Sequence, residues 1–267
     1  MKRILIPAFA VITMCLSCKK EKAPDFLPGD TGSLTIDFDN VVNGNDLELN
    51  TRNYTNVTGE SYSVSTMNYY ISNIKLKNAD GSEYIVPRDN SYYLIKEENA
   101  SQEIELDDVP AGNYTGLSFT VGVDSLKSAS PLSERQGVLD PATGAAGMYF
   151  DANAGYIFLK MEGHSNSATS ADKKFQYHIG GYGGSVTPTF YNIKIITLTG
   201  PAGSQAEVRK NKTTPPEIHI FADAAKVFDG ASNISLAAHT SVLFDPFSVN
   251  VANNYAGMFN INHIHND

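Results

Sequence analysis

The chain has 267 residues and a net charge of −9, with two cysteines, Cys15 and Cys18, and no tryptophan. An acidic body with scattered lysines offers no basic face for nucleic acid. Both cysteines lie near the N-terminus, so the rest of the chain has no disulfide, no cysteine nucleophile and no thiolate ligand for zinc.

The first residues set the destination. Met1-Lys2-Arg3 is a charged start, Ile4 to Leu16 is apolar, and Ser17-Cys18 follows. That is the pattern of a secretory signal, and its apolar run is too short to span a bilayer, which takes about 20 residues. Leu16-Ser17-Cys18 resembles a lipobox, which predicts removal of residues 1–17 and acylation of Cys18, leaving the protein held by membrane lipid. Stable anchoring requires more than one acyl chain, each buried methylene contributing about 0.8 kcal/mol. The expected location is extracytoplasmic and lipid-anchored, on the periplasmic or surface face of a bacterial outer membrane. Residues 18–32, with Lys19, Lys20, Lys22, Pro24, Pro28 and Gly29, read as a lipidated tether. Residues 33–267 then read as one domain.

Within that domain Ser33 to Phe38 alternates strictly, as a half-buried strand does. Thr66 to Lys77 predicts a longer strand whose apolar phase slips between Ile71 and Ile74, the signature of a bulge. Ala79-Asp80-Gly81-Ser82 turns the chain into Glu83 to Val86. Tyr92 to Ile95, Glu103 to Leu106 and Tyr114 to Val123 follow as strands. Asp124 to Gly147 has no period and reads as a long excursion. Gly155 to Met161, Phe175 to Ile179, Tyr191 to Leu198 and Ile218 to Phe221 resume the strand pattern, with a flexible hairpin tip expected at Gly180 to Gly184. Phe247, Val251 and Tyr255 fall at helical spacing. The expected fold is all-β, a two-sheet antiparallel sandwich with one short C-terminal helix.

Chemistry in this sequence rests on histidine. His178 lies between Tyr177 and Ile179, which face the core, so its own side chain faces out. His263 and His265 are two apart and share a side if that segment is extended. His164 closes the segment Leu159 to His164, where a loop turns it toward a site. Neutral imidazole suits copper or zinc without any thiolate. These four are the candidate metal ligands. His219 and His239 read as isolated surface or hydrogen-bonded histidines. There is no catalytic elbow, phosphate loop or recognisable nucleophile–base arrangement, so a non-enzymatic protein is expected.

An ordered series of motifs carries a family resemblance. It runs Asn68-Tyr69-Tyr70-Ile71-Ser72-Asn73, Val109-Pro110-Ala111-Gly112-Asn113-Tyr114, Leu139-Asp140-Pro141 and Gly147-Met148-Tyr149. It continues with Gly155 to Gly163, Tyr177-His178-Ile179-Gly180, Asn254-Tyr255-Ala256-Gly257-Met258 and His263-Ile264-His265. The series resembles the MbnP-like family of copper-associated bacterial lipoproteins and secreted proteins. The resemblance implies a β-sandwich that binds copper through histidines, with a dihaem peroxidase-like protein as partner. In relatives that partner converts a tryptophan near the copper to kynurenine. Phe150 and Ala152 stand in the tryptophan slots here, and kynurenine is an opened indole, so the modification cannot occur in this chain. One element of the family's site is missing while several histidines remain. The expected function is therefore membrane-anchored copper binding through a histidine-built site. The alternative is a structural or ligand-binding surface lipoprotein that has lost the metal.

Overall fold

The structure is a computed structural model that describes residues 26–99 and 102–267. The signal segment and Cys18 lie outside the described residues. Along the chain come β1 (Thr31–Val42), β2 (Asn45–Asp46), β3 (Tyr54–Thr55), β4 (Ser61–Asn78), β5 (Glu83–Ile85), β6 (Tyr92–Lys96), β7 (Glu103–Pro110) and β8 (Gly112–Val121). After the short helix α1 (Ser125–Ser128) come β9 (Tyr149–Asp151), β10 (Gly155–His164), β11 (Lys174–Gly180), β12 (Lys194–Thr199) and β13 (Ala206–Val208). Then β14 (Glu217–Asp223), β15 (Ser241–Val242), the helix α2 (Ser248–Tyr255) and β16 (Phe259–His265) complete the fold.

Two sheets form the expected sandwich. A five-stranded sheet runs β16-β14-β1-β2 with β7 also on β1, and an eleven-stranded sheet runs β12-β8-β4-β10-β11-β15 with short additions. Most pairings are antiparallel, but β1–β14 and β11–β15 are parallel. Strand alternation drives the burial. Leu34, Ile36 and Phe38 of β1 and Ile218 and Ile220 of β14 face inward against Tyr69, Phe119, Met161, Phe175 and Tyr177 of the larger sheet. Edge-on aromatic contacts such as Phe38–Phe119 (5.6 Å) and Phe119–Phe259 (5.2 Å) fill the centre, each contributing about 0.5–1.5 kcal/mol beyond area burial.

The slip expected in β4 is real. Its register with β8 shifts between Ser72 and Lys75, where Asn73 takes a positive φ of 53°. Strand alternation turns Tyr69 and Ile71 toward the main core, the bulge brings Ile74 back to that face, and Tyr70 points to the opposite side. There Tyr70 joins Tyr156, Phe158, Val123, Leu139 and Met148 in a second, smaller core. The aperiodic excursion from Asp124 to Gly147 is what covers it. Tyr70 and Tyr156 donate their hydroxyls to the carbonyls of Val138 (2.7 Å) and Leu139 (2.6 Å), pinning the excursion to the outer face of the large sheet.

Four local features differ from the sequence reading. β1 begins at Thr31 rather than 33, and the preceding turn is fixed to the body by Lys210 on Asp30 (3.1 Å) and by the Ala111 amide on the Asp30 carbonyl (2.8 Å). The strand expected from Tyr191 starts only at Lys194. Gly180 to Gly184 is no hairpin tip: Tyr182 bridges Tyr191, and a Cβ on Gly181 would come within 2.7 Å of the Phe190 carbonyl. The C-terminal segment is a full strand, β16, paired antiparallel to β14.

Candidate metal centre

The four histidines singled out from sequence do not meet at one site. His178 faces out from β11, between Phe175, Tyr177 and Ile179 of the core, as its strand phase requires. Its Nε2 lies 2.6 Å from Glu162 Oε1 on β10, so the nitrogen carries a proton toward the carboxylate. Lys160 approaches the same carboxylate at 3.6 Å and donates to the Gly147 carbonyl at 3.3 Å. Burial holds the imidazole below the ordinary histidine value despite the Glu162 hydrogen bond, which acts the other way. Phe150, in the first tryptophan slot, lies over Gly180 and packs on Phe244 (5.5 Å). This is one imidazole tied to a carboxylate and a lysine beside an aromatic cluster, and it does not fit a metal.

His164 shares that outer face but sits at the far end of β10, paired with Lys174. Four residues separate it from Lys160, the partner of His178, or roughly 13 Å along a strand. It lines a small cleft with Ser63, Asn166 and Lys173. His239, whose carbonyl accepts the Tyr177 hydroxyl, stacks on Phe247 at 3.5 Å.

His263 and His265 lie on the other sheet, facing out on the opposite side of the sandwich. The device that puts them there is a bulge. Between Ile220↔Ile261 and His219↔His263 the register of β14 and β16 slips by one residue, absorbing Asn262. Ile261 and Ile264 thus face the core, while His263 and His265 both face out. Their Nε2 atoms are 2.7 Å apart, and Nδ1 of His263 contacts the Asn262 side chain.

The strand pairing adds a third imidazole that the sequence reading set aside. His219, directly across from His263, stacks its ring on that of His263 at 4.4 Å. On its other side the parallel partner β1 supplies Asp37 and Asp39, whose Oδ2 atoms lie 3.1 and 3.5 Å from His219 Nε2. With Nε2 donating toward these carboxylates, Nδ1 keeps its lone pair, and that atom is buried without a hydrogen-bond partner. Glu217, across from His265, extends the acidic side of the cluster. Burial, then the flanking His219 and His265, hold His263 below the ordinary histidine value, opposed by Glu217 and Asp37. Burial pushes the Asp37 carboxyl up, opposed by His219.

Three imidazoles and the neighbouring carboxylates on this face are ligand types that suit a copper- or zinc-type ion. Among the described residues no three such side chains already surround a common point at ligand distance. The hydrogen bond between His263 and His265 must open for an ion to enter. The one hint available in the sequence was Ile218-His219-Ile220, the same outward phase that singled out His178.

The MbnP family model matches residues 31–249, and β16 with its histidine pair lies beyond that match. The solved structure of MbnP from Methylosinus trichosporium superposes with a TM-score of 0.51 over 82% of this chain and 87% of that one, at 15% identity. That likeness is one of fold. None of the curated proteins matches the chain.

Proposed function

The chain belongs to the MbnP family, and from that premise we propose that it is a membrane-anchored, extracytoplasmic copper-handling protein. It binds its ion through histidine nitrogens and carries out no catalysis of its own. The observation that carries this reading is the approach of His263 Nε2 and His265 Nε2 to 2.7 Å beside the stacked ring of His219. Imidazole nitrogens are natural ligands for a borderline metal, and the carboxylates at His219 orient its ring, as outer partners of metal-bound histidines do. Bound here, copper would be cargo or a resident ion on an open face, within reach of a partner. A dihaem peroxidase-like protein is such a partner by family analogy. The lipobox at Cys18 supplies the anchor.

A second reading draws on the other sheet. Glu162 and Lys160 occupy the surroundings of His178, and Phe150 and Phe244 pack where the resemblance places tryptophan chemistry. A chain that had kept the sandwich for a structural or ligand-binding role would look like this on that face.

Copper titration of the untagged mature domain separates the two. His263→Ala/His265→Ala should lose binding, while His178→Ala should keep it. If the parent binds no copper above a competing chelator, the structural reading replaces the copper-handling one.

A further inference from the structure

A cleft of about 250 Å³ opens at the margin of the sandwich, where β5 and β6 of the large sheet stand across from β7. β7 lies on the opposite edge of the five-stranded sheet from β16 and its histidines. We infer that this cleft binds a small alkylated ammonium ion, with the rings of Tyr84 and Tyr93 against its carbons and the carboxylates of Glu105, Asp107 and Asp108 balancing its charge. The inference is independent of the copper reading.

Strand phase sets the aromatic side. Tyr84 pairs with Leu76 and Tyr93 with Ile71, so both rings lie on the inner face of the large sheet. That face fills the core further in, but here it reaches the edge, and the two rings are left half-buried beside the buried Val86 and Leu106. The Tyr93 hydroxyl donates to the Asn90 carbonyl (2.6 Å), which holds its ring in place.

A bulge sets the acidic side. Between Gly32↔Val109 and Leu34↔Leu106, Ser33 of β1 alone stands across from both Asp107 and Asp108 of β7. The extra residue presents two successive carboxylates to the cleft. Asp108 takes a φ of 55° to do so, a conformation that few residues besides glycine, asparagine and aspartate adopt. Asp107 accepts from Ser33 Oγ (2.8 Å). Glu105 completes the acidic lining, which includes no lysine, arginine or histidine. Arg88, in the adjoining turn, is drawn off to Asp124 (2.7 Å). Burial, then the charge of Asp108, push the Tyr84 phenol above its ordinary value, in keeping with a carboxylate close to that ring.

This lining selects by charge and by surface. The carboxylates favour a cation, but among the described residues no three of them are placed to hold a metal ion. An alkylated ammonium needs no such cage. Its charge is spread over carbons that rest on aromatic rings, while carboxylates attract it through space. Its apolar skin also matches Val86 and Leu106. The volume lies below the ~300–1,000 Å³ of sites for drug-sized ligands, so the ligand is small.

Calorimetry of the untagged mature protein with choline, and with dimethylbutanol as its neutral carbon isostere, tests this. Choline should bind saturably, and the alcohol at least about tenfold more weakly, because it lacks the charge. Asp108→Asn keeps a residue that tolerates the left-handed backbone. It should weaken choline and flatten the dependence of binding on salt. Tyr84→Leu should weaken choline about 2- to 30-fold, with Tyr93→Leu as a second variant should Tyr84→Leu fail to fold. His263→Ala/His265→Ala should bind choline as the parent does. Phosphatidylcholine vesicles should hold the Cys18→Ser protein no better than phosphatidylglycerol vesicles. A preference for the former would make the ligand a lipid headgroup and overturn the small-molecule site. Equal binding of choline and the alcohol, affinity untouched by the Asp108 and tyrosine variants, or no saturable binding overturns the inference and leaves the copper reading standing.

Discussion

Glu60 shows what a single side chain does for this fold. It lies just before β4 and accepts from Asn56 and Thr58 in its own turn (both 2.8 Å). It also reaches across the chain to Ser235 Oγ (2.9 Å) and to the amides of Leu236 (2.7 Å) and Ala237 (2.9 Å). Burial alone would raise its carboxyl, but the hydrogen bonds from Asn56, Ala237, Leu236 and Thr58 outweigh that and bring it down to about 2. A depressed carboxyl contributes stability above its unfolded value and loses it as pH falls through the folded one. Glu60→Gln should therefore cost about 2 kcal/mol near pH 7, in the range of charged hydrogen bonds. The difference from the parent should shrink between pH ~4.5 and ~2. Denaturant unfolding of both proteins at several pH values measures this, and a difference independent of pH would remove Glu60 from the acid response.

At the scale of elements, β10 joins the two halves of the large sheet, pairing with β4 on one side and β11 on the other. Its register against β4 shifts at Glu162/Gly163. The backbone there runs so close to its neighbour that a Cβ on Gly163 would fall 1.9 Å from the Ser63 carbonyl and 2.7 Å from the Phe175 ring. Gly163→Ala should destabilise the domain by about 1–3 kcal/mol through overpacking. A midpoint of unfolding within error of the parent would show that the strands part without cost. Strand phase made much of this level legible beforehand: the bulge in β4, the outward face of His178 and the helix over Phe247, Val251 and Tyr255 all follow from local pattern. Pairing was not legible. The parallel contact of β1 with β14 joins residues such as Asp37 and His219 across most of the chain, and no local period encodes it. His219 therefore reads as isolated in sequence and becomes the centre of a cluster only once β1 and β16 flank it. The excursion from Asp124 to Gly147 is legible as irregular, but its hold on Tyr70 and Tyr156 depends on which face β4 and β10 present.

At the scale of the whole molecule, β1 leads from its first residue to the rows that carry the histidine cluster. β1 begins at Thr31, and its Thr35 lies in the row that carries Glu217 and His265. Four residues of strand separate that row from the tether's end, roughly 13 Å. The segment from Cys18 to Asp30 cannot reach beyond roughly 45 Å even when fully extended. An acylated Cys18 would thus set an upper bound on how far the cluster can stand from the membrane surface. The anchor and the domain are nevertheless separable in energy, because the cores draw on residues from β1 onward. Cys18→Ser, expressed in a bacterial host, should move the protein from the membrane to the soluble fraction without the mass of the acyl chains. Its unfolding midpoint and copper affinity should match those of the parent domain. Retention in the membrane fraction would overturn the lipid anchor, and release accompanied by loss of copper affinity would mean that the membrane contributes to the site itself.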